Sequence, residues 1–197
     1  MDVGKVTSVL ERHPAIRDVR LVGSRARGEV TVLSDWDFRI DAADFDATAQ
    51  ALPKLVRPLD PLAQQWDRLS RRKTYMLLLP GPIKVDLLFE QPNAPEGPWQ
   101  VSTATLPQID NHFWDWILWI AAKHAAGHRD LVGKELGKLF AHLLRPMRVT
   151  RVPADVEAAI ECFRAARQAY ADRFQLRIAT DLEGEIVRAL RQNGFRV

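Results

Sequence analysis

Two stretches place acids where a β-strand would present them on one side. In DWDFRI (35–40), Trp36, Phe38 and Ile40 fall on one face and Asp35, Asp37 and Arg39 on the other. In IKVDLLFE (83–90), Ile83, Val85, Leu87 and Phe89 point inward, and Lys84, Asp86, Leu88 and Glu90 outward. A period of two commits both stretches to a sheet. If the two strands are neighbours, three carboxylates meet on one sheet face.

Such a meeting is costly. Asp35 and Asp37, two residues apart along a strand, are separated by roughly 6.6 Å, which at an effective dielectric near 20 is about 2.5 kcal/mol of repulsion. A third acid adds to this, so the cluster calls for cations. Oxygen ligands that leave room for water and phosphate suit Mg2+, and two such ions about 4 Å apart can clamp the attacking and leaving oxygens of a displacement at phosphorus. Upstream, VRLVG is a short apolar strand that ends at Gly23, where the chain can turn sharply. Gly23 and Ser24 would let backbone N–H groups and a hydroxyl approach a phosphate. The plainer alternative is that Arg39 and Lys84, on the same faces, pair with the acids in surface salt bridges and that Gly-Ser is only a turn.

The ordered set GSRARGEVTVLSDWDF followed by VDLLF resembles the nucleotidyltransferase superfamily that includes DNA polymerase beta. Within that superfamily it is most similar to the aminoglycoside-type (antibiotic) adenylyltransferases and the small single-domain nucleotidyltransferases. The resemblance covers about the first 90 residues. It implies an α+β fold, a mixed sheet with flanking helices, and an enzyme that moves a nucleoside monophosphate from ATP or another nucleoside triphosphate to a hydroxyl, with two Mg2+ ions. The family's Gly-Ser falls on Gly23 and Ser24, its paired acids on Asp35 and Asp37, and its third acid on Asp86. Arg39 departs from the pattern, since that position is more often apolar; it either steers triphosphate or partly quenches the metal site.

Composition sets the frame for this core. With 47% hydrophobic residues over 197 positions, the chain can bury one or two small cores. The opening residues lack the apolar core of a signal peptide and no apolar run is long enough to span a bilayer, so cytoplasmic residence is the expectation. Cys162 is the only cysteine, which excludes an intrachain disulfide and a thiolate metal cluster; its place in AAIECFRAA suggests a small core residue. The net charge of +3 is too slight for a nucleic-acid platform. A second half without acidic excess also weakens the case for a polycationic antibiotic substrate.

Along the chain, Val3 to Arg12 is an amphipathic helix, and the first strand follows at about Val19–Val22. SRARGEVTVLS holds a helical turn and a loop. There Arg25, directly after Ser24, is the better placed of Arg25 and Arg27 to pair a phosphate oxygen. Asp44 to Val56 is a helix with an acidic first turn, DPLAQQWDRLS adds a further helical turn or two, and Arg71–Lys73 form a solvated loop before the strand TYMLLLP. The proline-rich stretch from Gln91 to Pro107 separates mixed patterns from purely helical ones. The expected domains are therefore 1–92, a linker at 93–108, and a helical bundle over 109–197.

The first helix of that bundle is capped at Asp110 or Asn111, ends at Gly127 and is apolar nearly all round. Trp114, Trp116 and Trp119 either pack the core or line a cleft and stack on a base. Lys123 either reaches a triphosphate or snorkels at the surface. His124 and His128 have metal-ligand spacing, but Gly127 breaks the helix between them, so zinc is not expected. Helices over Asp130–Leu144, Ala154–Phe174 and Thr180–Gln192 complete the chain.

Asp35 and Asp37 are expected to hold both ions. Asp86 completes the site nearer the acceptor hydroxyl and is the first candidate for general base; Asp115 and Glu135 are weaker candidates. Gly23, Ser24, Arg25 and Lys123 are the expected triphosphate contacts. The acceptor is a small hydroxylated molecule, with an aminoglycoside-like antibiotic among the candidates. Two alternatives stay open: a protein-modifying enzyme of the toxin–antitoxin kind, and a nucleotide- or RNA-binding module whose catalysis has decayed.

Overall fold

A computed structural model describes residues 3–28, 30 and 32–197. Glu29 and Thr31, in the loop expected between the first two strands, lie outside the described residues. The chain divides into two compact units, Met1–Val30 with Ser34–Glu96, and Thr31–Leu33 with Gly97–Val197.

The first unit is α+β. Its elements are α1 (Val3–Leu10), β1 (Ile16–Val22), the short α2 (Gly23–Ala26), β2 (Trp36–Ala42), α3 (Phe45–Leu55), a 3-10 turn (Arg57–Leu59), β3 (Ala63–Trp66), β4 (Arg72–Leu79) and β5 (Ile83–Pro92). The five strands form one sheet in the order β1-β2-β5-β4-β3, in which β2 and β5 run parallel and every other pair antiparallel. The period-two alternation is obeyed: Phe38 and Ile40 of β2 and Val85, Leu87 and Phe89 of β5 join Leu10, Leu52 and Val56 of the helical layer in one buried core. Asp44 caps α3 by accepting from the Ala47 N–H at 3.0 Å.

Three expectations fail here. Residues 60–70 were expected to add helix, yet Ala63–Trp66 pairs with β4 as the edge strand. Paired there, the strand lays the Trp66 ring against Tyr75 (5.0 Å) and Phe89 (5.7 Å), contacts that a helix would not make. Arg72 and Lys73 belong to β4 rather than to a solvated loop, because pairing continues across a register shift between Arg72 and Thr74. Lys84, on the face expected to be open, is only 7% exposed.

The second unit is helical: α4 (Leu106–Ala125), α5 (Arg129–Leu139) running into a π-helical segment (Phe140–Leu144), α6 (Val156–Phe174) and α7 (Asp181–Gln192). Helix α4 begins four residues before the expected cap. Pro107 lies in its first turn, where a missing N–H breaks no helical bond. Gly127, at φ 81°, follows its end. Asp110 is therefore inside the helix and buried, accepting from Arg167 Nη1 at 2.7 Å and Trp114 Nε1 at 3.2 Å, while Arg167 also donates to Glu183. Burial alone would lower the Arg167 pKa, but its bonds to the two carboxylates outweigh burial and the net direction is up. Phe113 and Phe163 stack at 3.7 Å beside Trp114, which is fully buried core. Cys162 is half-buried on α6 rather than within the core. Among the described residues no helix is long and apolar enough to cross a membrane.

Candidate metal and nucleotide site

The parallel pairing of β2 and β5 sets Asp37 directly opposite Asp86, on the face away from the apolar core. Asp35 enters from the residue just before β2, and the loop, not the strand, orients it. The three carboxylates each offer an oxygen within 4.8 Å of the others, and among the described residues this is the one grouping of three or more metal-ligating side chains. Asp35 is 9% exposed.

The turn after β1 is shaped around this cluster. Gly23 stands at φ 72°, the left-handed region that favours glycine. A Cβ built there would overlap Asp37 Oδ2 and lie 3.0 Å from its Cγ, so the backbone of the Gly-Ser turn lies directly against a carboxylate of the cluster.

Arg25, expected on a phosphate, has a different set of contacts. Its Nε donates to the carbonyls of Ser34 and Asp35, both at 3.0 Å, and its Nη2 donates to Ser34 at 2.6 Å. The guanidinium also lies 4.0 Å over the Trp36 ring. Burial lowers the Arg25 pKa, opposed by the Asp35 carboxylate. In this structure Arg25 is a strut that fixes the backbone from which Asp35 projects.

Lys84 was not counted among the site residues, and the structure brings it in. Its ammonium donates to Asp86 Oδ1 at 2.7 Å and Oδ2 at 2.8 Å, with side-chain exposures of 7% and 15%. The signal was present: Lys84 sits two residues before Asp86 and so on the same strand face. Part of the salt-bridge alternative is therefore realised. Three carboxylates against the Lys84 ammonium sum to a formal −2, which the Arg25 guanidinium beside Asp35 offsets in part, so the cluster stays net anionic.

The donor set fits a divalent ion. Oxygens around an octahedral Mg2+ at about 2.1 Å lie about 3 to 4.2 Å from each other, so a 4.8 Å span closes with a shift of under about 1 Å. All ligands are hard carboxylate oxygens on a half-open face, which leaves positions for water and phosphate.

Other expected participants sit in the second unit. The Lys123 ammonium on α4 lies 5.0 Å over the Trp119 ring. Glu135 accepts from Trp116 Nε1 at 3.1 Å and Lys138 Nζ at 2.6 Å, and Asp115 is buried. His124 packs on the Phe195 ring at 5.5 Å, and His128 stands at the start of α5.

No protein-family model matches the chain, and no curated protein matches it. Among solved structures it is similar to an aminoglycoside 6-adenyltransferase from Bacillus subtilis, at 12% identity over 98% of both chains with a TM-score of 0.40, a likeness too slight to carry an argument about fold or activity.

Proposed function

We propose that the chain is a Mg2+-dependent nucleotidyltransferase that moves a nucleoside monophosphate, from ATP or another triphosphate, to a hydroxyl of a small acceptor. One observation carries this reading: the carboxylates of Asp35 and Asp37 and that of Asp86, from a distant strand, lie within 4.8 Å of one another beside a glycine whose missing Cβ leaves room for Asp37.

Asp35 and Asp37 would hold the divalent ion, with Asp86 completing the set on the acceptor side. Bound there, the ion supplies charge neutralisation for the triphosphate and the departing pyrophosphate. The Gly23–Ser24 backbone and the Ser24 hydroxyl bind phosphate oxygens. Arg25 keeps Asp35 in place through the Ser34 and Asp35 carbonyls. With one of its oxygens released by Lys84, Asp86 takes the proton of the acceptor hydroxyl as the hydroxyl oxygen bonds to the α-phosphorus. The bond from that phosphorus to the bridging oxygen breaks, and pyrophosphate leaves.

The Lys84–Asp86 pair favours a second reading, a nucleotide-binding module in which the ammonium permanently replaces the ion at Asp86. Pyrophosphate release from ATP separates the two. Mg2+-dependent release with a hydroxylated acceptor supports the enzyme; Mg2+-independent ATP binding with no release at any acceptor supports the module.

A further inference from the structure

One row along the same sheet face lies a second cluster of charge that the transfer chemistry leaves unused. Arg39 follows Asp37 by two residues and pairs with Leu88, which follows Asp86 by two; Thr74 pairs with Leu88 from the other side. That row is one pleat repeat, roughly 6.6 Å, from the carboxylates. There, Arg39, Ser70, Arg71, Arg72, Thr74 and Glu90 surround the apolar side chains of Leu88 and Phe89 in a pocket of about 290 Å3. Its size is at the lower end of small-molecule sites, about 300–1,000 Å3, and suits one polar group rather than a whole ligand.

The pocket is built rather than incidental. The Asp67 carboxylate accepts from the Leu69 N–H (2.8 Å) and the Ser70 N–H (3.2 Å). Asn93 donates its side-chain amide to the Ser70 carbonyl at 2.9 Å and its backbone N–H to the Arg71 carbonyl at 2.9 Å. Ser70 Oγ and Thr74 Oγ1 lie 3.2 Å apart at its wall. Among the described residues no carboxylate pairs with Arg39, Arg71 or Arg72, whereas Arg20, Arg68, Arg164, Arg167 and Arg188 each have an acidic partner. Three guanidinium groups against Glu90 leave a formal +2, matched by a phosphate monoester at about −1.5 to −2. Guanidinium forks and hydroxyls are the donors such a group takes.

We propose that this pocket holds a phosphomonoester carried by the acceptor, so that the acceptor is a phosphorylated hydroxy compound and not a polycation. The term acceptor rests on the nucleotidyl-transfer reading; the recognition of phosphate does not.

The test is a phosphorus NMR titration of methyl phosphate against the full chain in chelator, where the metal-free carboxylates repel anions. Saturable binding that weakens at least tenfold in Arg39→Gln and in Arg72→Gln, but is unchanged in Arg57→Gln, is the expected result. The exposed guanidiniums make both variants foldable, which a melting curve checks. No binding to the native chain, or equal binding in all variants, overturns the proposal, as does displacement of methyl phosphate by short RNA at far lower concentration. Arginine-dependent binding in a chain that never releases pyrophosphate from ATP would end the transferase reading and leave the phosphate pocket standing.

Discussion

Lys84 holds Asp86 by both carboxylate oxygens, at 2.7 and 2.8 Å, from the preceding same-face position of one strand. The ammonium does for one carboxylate what a divalent ion would do for all three. Lys84→Met removes it and leaves the carboxylates to repel one another. The variant is expected to lose about 1–3 kcal/mol of stability without metal and to regain much of it in Mg2+. Thermal melts with and without Mg2+ check this. An equal Mg2+ effect on both proteins would mean that Lys84 and the ion do not act on the same charge.

Gly23→Ala tests the contact between the Gly-Ser turn and Asp37. Alanine at φ 72° costs roughly 1–2 kcal/mol, and its methyl overlaps Asp37 Oδ2. For a chain of this size that strain alone lowers the melting temperature by roughly 2–8 °C. Transfer falls at least about tenfold as Asp37 is pushed aside. Wild-type melting together with wild-type activity would refute the close approach.

Arg25→Lys separates a strut from a phosphate ligand. Lysine cannot donate to the Ser34 and Asp35 carbonyls and stack flat on Trp36 at once. Loss of the strut lowers kcat with KM for ATP little changed. A rise in KM at constant kcat would mean instead that Arg25 turns to the triphosphate.

Tyr75, buried in the aromatic cluster and donating to Gln64 at 3.0 Å, has its phenol pushed up to about 12 from 10.0 by burial. The unfolded chain ionises first, so the stability this group contributes is complete below pH 10 and is lost as pH rises toward 12. Tyr75→Phe is expected to flatten the alkaline limb of the stability curve and to remove the latest part of the tyrosinate absorbance titration. An unchanged limb would place the alkaline loss elsewhere.

The sheet was legible because alternation in 35–40 and 83–90 has one physical meaning, and Phe38, Ile40, Val85, Leu87 and Phe89 bury as that alternation requires. β3 was not, because four residues with one large ring carry little periodicity, and Trp66 is ordered by partners distant in sequence. The start of α4 was misplaced because Asp110 has the chemistry of a cap, while its actual role depends on Arg167, 57 residues away. At the candidate site, the three acids could be picked out by residue type and spacing. The pairing of Lys84 with Asp86 was legible in their same-face spacing, though its burial was not; the hold of Arg25 on the loop carbonyls depends on a rotamer that no local pattern encodes.

The most direct measurement is calorimetric titration of Mg2+ into the native chain and into Asp37→Asn, in the presence of ATP. The native chain should bind the ion; Asp37→Asn should keep its circular dichroism and melt no lower, yet lose affinity and pyrophosphate release by about a hundredfold or more. Equal Mg2+ affinity in the two proteins, or full pyrophosphate release from Asp37→Asn, would contradict the claim that these carboxylates assemble to hold a divalent ion.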